Sequence, residues 1–172
     1  MNAGPDLATL AAALDEADLE AILIGNAAAA LHGAPVTTVD FDFYFRKTPR
    51  NLQKLKTLAR ILHAMVLRPY YPVSDLYRVV NEDSGLQADF MATIHGVRSF
   101  ASLRADSESV GFGNHKLLVA SLAAIIRSKR AAGRGRDKAV LDILETTLRE
   151  KKAANPETKA RGAQARKRAR GR

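Results

Sequence analysis

Apolar positions divide the chain into short elements of alternating type. Leu7, Leu10, Leu14 and Leu19 recur at near-helical spacing among alanines and acids, which predicts a helix over about 6–18. Ala21-Ile22-Leu23-Ile24 is an apolar run stopped by Gly25, the pattern of a buried strand. Asn26 then opens a run of alanines through Leu31 and His32, closed by Gly33. An N-cap residue, strong helix formers and a C-terminal glycine predict a short helix there. Gly33 to Pro35 reads as a loop. From Val39 to Phe45 the alternation is strict: Val39, Phe41, Phe43 and Phe45 on one face, Asp40, Asp42 and Tyr44 on the other. A period of two is the strand signature.

Thr48-Pro49 opens the next helix at its favoured first positions, and apolar residues carry it to about Met65. Leu76 to Val80 and Leu86 to Met91 read as strands joined by the turn Asn81-Glu82-Asp83-Ser84-Gly85. Gly96 to Leu103 reads as a loop or short helix, and Ser109 to Phe112 as a last short strand. Ser121 caps a helix through Leu122, Ile125, Ile126 and Lys129, and Gly133-Arg134-Gly135-Arg136 breaks it. A final helix runs from Asp137 through Leu141, Leu144 and Leu148. There is no internal repeat. The order predicts an α+β fold: a small mixed β-sheet flanked by helices, followed by C-terminal helices. The expected division is a core over 1–112, a helical part over 113–150 and a tail over 151–172.

Composition changes this picture at three points. The chain has 172 residues, enough for one domain with a proper core, and 47% are hydrophobic. It has no cysteine, which excludes disulfides, iron–sulfur clusters and thiolate zinc sites. The start carries no basic residue and leads into no long apolar run, so no secretory signal is expected. No stretch approaches the roughly 20 apolar residues that cross a bilayer. A soluble, cytoplasmic protein without membrane contact is the expectation. The formal charge is +9, but Lys151 to Arg172 alone holds nine Lys or Arg against Glu157. The basic character therefore belongs to the tail, which has no large apolar residue to bury and is expected to be disordered.

The strand at Asp40 and Asp42 carries the candidate chemistry. Residues two apart on a strand lie about 7 Å apart on the same face. Both carboxylates can converge on hard cations such as Mg²⁺ (or Mn²⁺), which take carboxylate, water and phosphate oxygens. The plain alternative is a solvent-facing strand with acids on its wet side. Gly25-Asn26 lies at a strand-to-helix turn, where free N–H groups can hold phosphate; an ordinary capped helix is the alternative. Asp89 stands inside the mostly apolar Leu86-Gln87-Ala88-Asp89-Phe90-Met91. A buried acid is costly unless paired or metal-bound, although an edge strand would expose it.

Ile24-Gly25-Asn26, followed by Thr38-Val39-Asp40-Phe41-Asp42, resembles the signature of the DNA polymerase beta-like nucleotidyltransferase superfamily. In those enzymes a Gly-Gly or Gly-Ser turn precedes an Asp-x-Asp strand, and a third carboxylate lies on a later strand, where Asp89 stands. Ala120-Ser121-Leu122 through Ser128-Lys129-Arg130 to Asp137 resembles the C-terminal motif of small bacterial nucleotidyltransferases, including abortive-infection toxins of toxin–antitoxin pairs. The matched segments span roughly 23–144. The resemblance implies metal binding by Asp40, Asp42 and Asp89, with Asp89 as ligand or general base. It implies nucleotide binding by Gly25, Asn26, Thr38 and Lys129, and a site completed by Lys129 and Asp137 from the 113–150 part. Without the resemblance, Lys129-Arg130 and Arg134-Arg136 read as a solvated basic helix end. Asn26 departs from the second small residue of the turn, and Val36-Thr37 stands where arginine is frequent.

His32, His63, His95 and His115 lack zinc-like spacing, and His32 reads as structural or at a pocket rim. There is no Gly-x-Ser-x-Gly elbow, P-loop or dinucleotide fingerprint. Tyr70-Tyr71-Pro72 suits loop packing, with base stacking as the alternative. The expected function is metal-dependent transfer of NMP from an NTP to an acceptor such as tRNA, protein or a small molecule. The expected partners are the NTP, RNA through the basic tail, and an antitoxin protein. The alternative, motivated by Asn26 and Val36, is a degenerate module that binds nucleotide, nucleic acid or protein without chemistry.

Overall fold

A computed structural model describes residues 3–154. The expected disordered tail therefore falls outside the described residues from 155 onward, while 151–154 continue the last helix. In chain order the elements are α1 (Ala3–Glu16), β1 (Ala21–Ile24), α2 (Gly25–Leu31), β2 (Phe41–Phe45), α3 (Pro49–Ile61), β3 (Met65–Leu67), β4 (Tyr77–Asn81) and β5 (Leu86–Met91). These are followed by α4 (Phe100–Ala105), β6 (Ser107–Phe112), β7 (His115–Ala120), α5 (Leu122–Ala132) and α6 (Gly135–Ala154). The strands form one mixed sheet in the order β3-β4-β5-β2-β1-β7-β6, flanked by helices. No described helix is long and apolar enough to cross a membrane.

Local chemistry sets several of these boundaries. Thr48 caps α3 by accepting from the Asn51 N–H at 3.1 Å, with Pro49 at the first helical position. Ser121 caps α5 in the same way through Ala124, and Gly133, at φ 63°, ends it. The segment expected as loop or short helix resolves as α4, opened by a reciprocal Ser99–Ser102 capping box.

Four expectations need correction. Asn26 is not an N-cap: α2 begins at Gly25, Ile24 occupies the cap position, and no side chain caps it. The β2 alternation stops short of Val39, which is 74% exposed, so Asp40 sits in the bend entering the strand. α3 ends at Ile61 and Met65 belongs to β3, because His63 turns the chain at φ 49°. The strand β7 was not expected at all. It pairs with β1 in parallel and with β6 in antiparallel register, across the two-residue turn Gly113-Asn114. Residues 113–150 thus contribute a sheet strand as well as helices.

The core sits along β2 and β5. Phe41, Phe43 and Phe45 are buried; Phe43 stacks on Phe90 at 5.1 Å, and Phe45 meets Tyr77 and Phe90 edge-on at 6.0 Å. Each buried aromatic stabilises by roughly 1.5–3 kcal/mol. Tyr44, on the Asp42 side, is also buried and lies 5.7 Å from Phe100. This face of β2 is therefore covered at Tyr44, while Asp42 is half-buried at the same face. His32 is structural: its Nδ1 accepts from Lys151 at 2.9 Å, which leaves its Nε2–H to donate to the Ala120 carbonyl at 2.8 Å. This fastens the end of α6 to the sheet.

Candidate active site

Four adjoining segments build one wall of the site. β1 pairs antiparallel with β2, placing Ile24 opposite Asp42, so the turn at Gly25 passes over the Asp42 carboxylate. Gly25 has φ 70°, and a Cβ there would lie 2.6 Å from Asp42 Oδ2. Only glycine fits both the backbone angle and the gap. Asn26 Nδ2 donates to the Thr37 carbonyl at 3.3 Å, and Thr38 Oγ1 donates to the Asp40 carbonyl at 2.7 Å. These bonds tie the loop before β2 to the first turn of α2 and set where Asp40 enters. Asn26 Oδ1 is buried and has no hydrogen-bond partner among the described residues.

β5 runs parallel to β2 with Asp89 beside Asp42. Ala88 and Phe90 anchor β5 in the core, and the carboxylate between them is 4% exposed. Asp89 is paired from the other side. Arg78 on β4 stands directly opposite and donates from Nε at 2.8 Å and Nη2 at 2.7 Å, one bond to each carboxylate oxygen. Gln87 Nε2 reaches Asp40 Oδ2 at 3.4 Å. The Asp42 carboxyl is pushed up to about 6. Burial is the main cause, repulsion by Asp89 and then Asp40 adds to it, and Lys129 and Arg136 oppose it. Hydrogen bonding to Asp89 raises the already high Arg78 value further, so this guanidinium stays charged.

The opposite wall comes from α5 and α6. Lys129 lies in the last turn of α5, and Asp137 lies in the first turn of α6, where an acid suits the helix dipole. The short turn at Gly133 folds them together: Lys129 Nζ is 3.3 Å from Asp137 Oδ1, and Arg134 Nε is 3.8 Å from Oδ2. The Lys129 and Asp137 side chains are only 13% and 11% exposed.

A cavity of about 600 Å³ lies between the walls. All eight candidate residues line it: Gly25, Asn26, Thr38, Asp40, Asp42, Asp89, Lys129 and Asp137. Tyr70, Arg78, His95 and Arg136 line it too. Arg78 was missed in the sequence, although its signal was there. The hairpin turn pairs Asn81 with Leu86, and that register alone sets Arg78 against Asp89.

The same arrangement of sheet and helices occurs in solved structures. A solution structure of the antibiotic-resistance factor ANT(2'')-Ia aligns with a TM-score of 0.59 at 14% identity, covering 98% of this chain and 97% of that one. A crystal structure of ANT(2'')-Ia in complex with adenylyl-2''-tobramycin aligns with a TM-score of 0.59 at 16% identity, covering 98% and 99%. The chain has a nucleotidyltransferase fold. A Thermotoga maritima protein provisionally assigned as a nucleotidyltransferase shares that fold, with a TM-score of 0.58, 18% identity, and coverage of 85% and 92%. No protein-family profile matches the sequence, and no curated protein does either. The likeness is thus one of nucleotidyltransferase fold, and the chemistry rests on the residues of the cavity.

Among the described residues no three His, Cys, Asp or Glu side chains form a ready metal cage. The donor set nevertheless fits Mg²⁺ or Mn²⁺, which take one or two carboxylates and complete their shell with water and substrate phosphate. Asp42 and Asp40 supply hard oxygens, and burial, with repulsion from Asp89 and Asp40, disfavours the charged form of Asp42 in the absence of a cation.

Proposed function

We propose that the protein is a nucleotidyltransferase that moves NMP from an NTP to an acceptor hydroxyl, with Asp40 and Asp42 holding a divalent metal. The observation that carries this reading is a crowded carboxylate floor facing Lys129 and Arg136 across one cavity. When bound, the ion would neutralise phosphate charge and favour the leaving pyrophosphate. Gly25 keeps backbone, not side chain, against Asp42, which leaves room for the triphosphate beside the first turn of α2. Lys129, oriented by Asp137, offers a compact cation to that triphosphate. The acceptor oxygen forms a bond to the α-phosphorus, the α–β anhydride bond breaks, and pyrophosphate leaves. The acceptor proton passes to a carboxylate of the cluster. The fold likeness to nucleotidyltransferases supports this class of reaction.

The test is incubation with labelled NTPs, Mg²⁺ and cell extract, comparing wild type with Asp40→Asn. Metal-dependent label on an acceptor, lost in the variant, is expected. No label, or equal label in both, would refute the reading. The acceptor remains a proposal in three branches: tRNA, protein or small molecule. RNA contact through the basic tail belongs to the same proposal, and a truncation at Ala154 that keeps RNA affinity would remove it. Assignment to the toxin branch, with an antitoxin partner and a cytoplasmic setting, is tested by co-expression with the neighbouring gene product.

Two observations favour the second reading, a degenerate binding module. The Asn26 amide donates to Thr37 rather than into the cavity, and Arg78 holds both Asp89 oxygens. Calorimetry with NTP and Mg²⁺ separates the two. Binding unaffected by Asp42→Asn, with no turnover, favours the module.

A further inference from the structure

Arg78 faces the cavity, yet nothing in the sequence motifs gives it a role. It stands opposite Asp89 across the β4–β5 ladder and grips the carboxylate as a two-pronged fork, at 2.8 and 2.7 Å. The Asp89 side chain is 5% exposed and that of Arg78 24%, so water does little to loosen the pair. A carboxylate held this way has its charge cancelled by a fixed cation. A second divalent ion there would have to displace the guanidinium or sit against it, and at a few ångströms two such positive charges repel strongly. Asp42 shows that the opposite situation exists next door. It adjoins Asp89 in the β2–β5 register, and among the described residues no basic side chain is hydrogen-bonded to it.

We propose that Arg78 is a built-in countercation to Asp89, so that the site takes a single divalent ion, at Asp40 and Asp42, and not a pair. This rests on the nucleotidyltransferase reading and narrows it: Arg78 is a positioning residue that keeps Asp89 out of metal ligation. It follows that removing Arg78 converts the site to two ions, because the freed Asp89 carboxylate lies beside Asp42.

The experiment is Mn²⁺ titration of the full chain, read by the free-Mn²⁺ electron paramagnetic resonance signal, without substrate. Wild type is expected to bind one Mn²⁺, lost in Asp40→Asn. Arg78→Met is expected to bind two. Arg78→Met/Asp89→Leu removes the pair together, which a fold commonly tolerates. It should return to one ion, with a dissociation constant within about threefold of wild type because the net charge is unchanged. Circular dichroism confirms the fold of each variant, and the double variant keeps the test decisive should Arg78→Met unfold. Two ions in wild type, or loss of binding in the double variant, overturn this proposal and leave the nucleotidyltransferase reading standing. No Asp40-dependent Mn²⁺ in wild type overturns both.

Discussion

Replacing Asp42 with asparagine should make the metal-free protein more stable at neutral and alkaline pH while abolishing its function. The Asp42 carboxyl is raised from 3.8 to about 6, chiefly by burial and then by Asp89 and Asp40. The folded chain thus holds the Asp42 proton more tightly than the unfolded chain. The stability contributed by this group is fully present below about pH 4 and is lost as pH rises through about 6. One pKa unit corresponds to about 1.4 kcal/mol, so the charged form weakens the fold by at most about 3 kcal/mol at pH 8. The neutral amide of the Asp42→Asn variant carries no such deficit. Urea denaturation of wild type and Asp42→Asn, without metal, should show the variant ahead by about 2–3 kcal/mol near pH 8 and level with wild type near pH 4. In a melt the same gain is about 2–4 °C per kcal/mol for a chain of this size. Added Mg²⁺ near pH 8 should then raise the melting temperature of wild type and not of the variant. A variant that is less stable near pH 8, or that gains equally at both pH values, would refute the electrostatic account of this site.

Gly25→Ala should cost about 1–3 kcal/mol by denaturation, because it combines a φ of 70° with a Cβ 2.6 Å from Asp42 Oδ2, and Mn²⁺ titration should show weaker binding as Asp42 shifts. Lys129→Met should lower NTP affinity in calorimetry and destabilise by about 1–3 kcal/mol, since among the described residues it leaves the largely buried Asp137 with the more distant Arg134 at 3.8 Å. Thr48→Ala should cost about 1 kcal/mol by loss of the α3 cap, with metal binding unchanged because the cap lies away from the cavity.

Much of the fold was legible because its signals are local. The Thr48 and Ser121 caps, the αL glycine at 133 and the alternation from Phe41 to Phe45 each act within a few residues. The misreadings also have local causes. Asn26 looks like a cap, but the helix already starts at the left-handed Gly25, which moves the cap position two residues earlier, to Ile24. β7 was hidden because its apolar run continues almost unbroken into α5 past Ser121, although the Gly113-Asn114 turn marked it. Val39 fits the strand period but lies outside the sheet, because pairing with β1 begins only after Asp40.

By itself the sequence determined that Asp42 shares a strand with an apolar face opposite it, that Gly25 opens a turn, and that Lys129 and Asp137 flank a helix break. Periodicity, glycine conformation and capping operate over one or two turns of chain, so they can be read in order. The tertiary structure decided everything that depends on strand order. Parallel pairing of β2 with β5 put Asp89 beside Asp42, and β4 put Arg78 across from it. The α5–α6 turn joined Lys129 to Asp137 and closed the cavity. The charge state of Asp42 is therefore a property of the assembled sheet, because desolvation and the repulsion from Asp89 depend on neighbours distant in the chain.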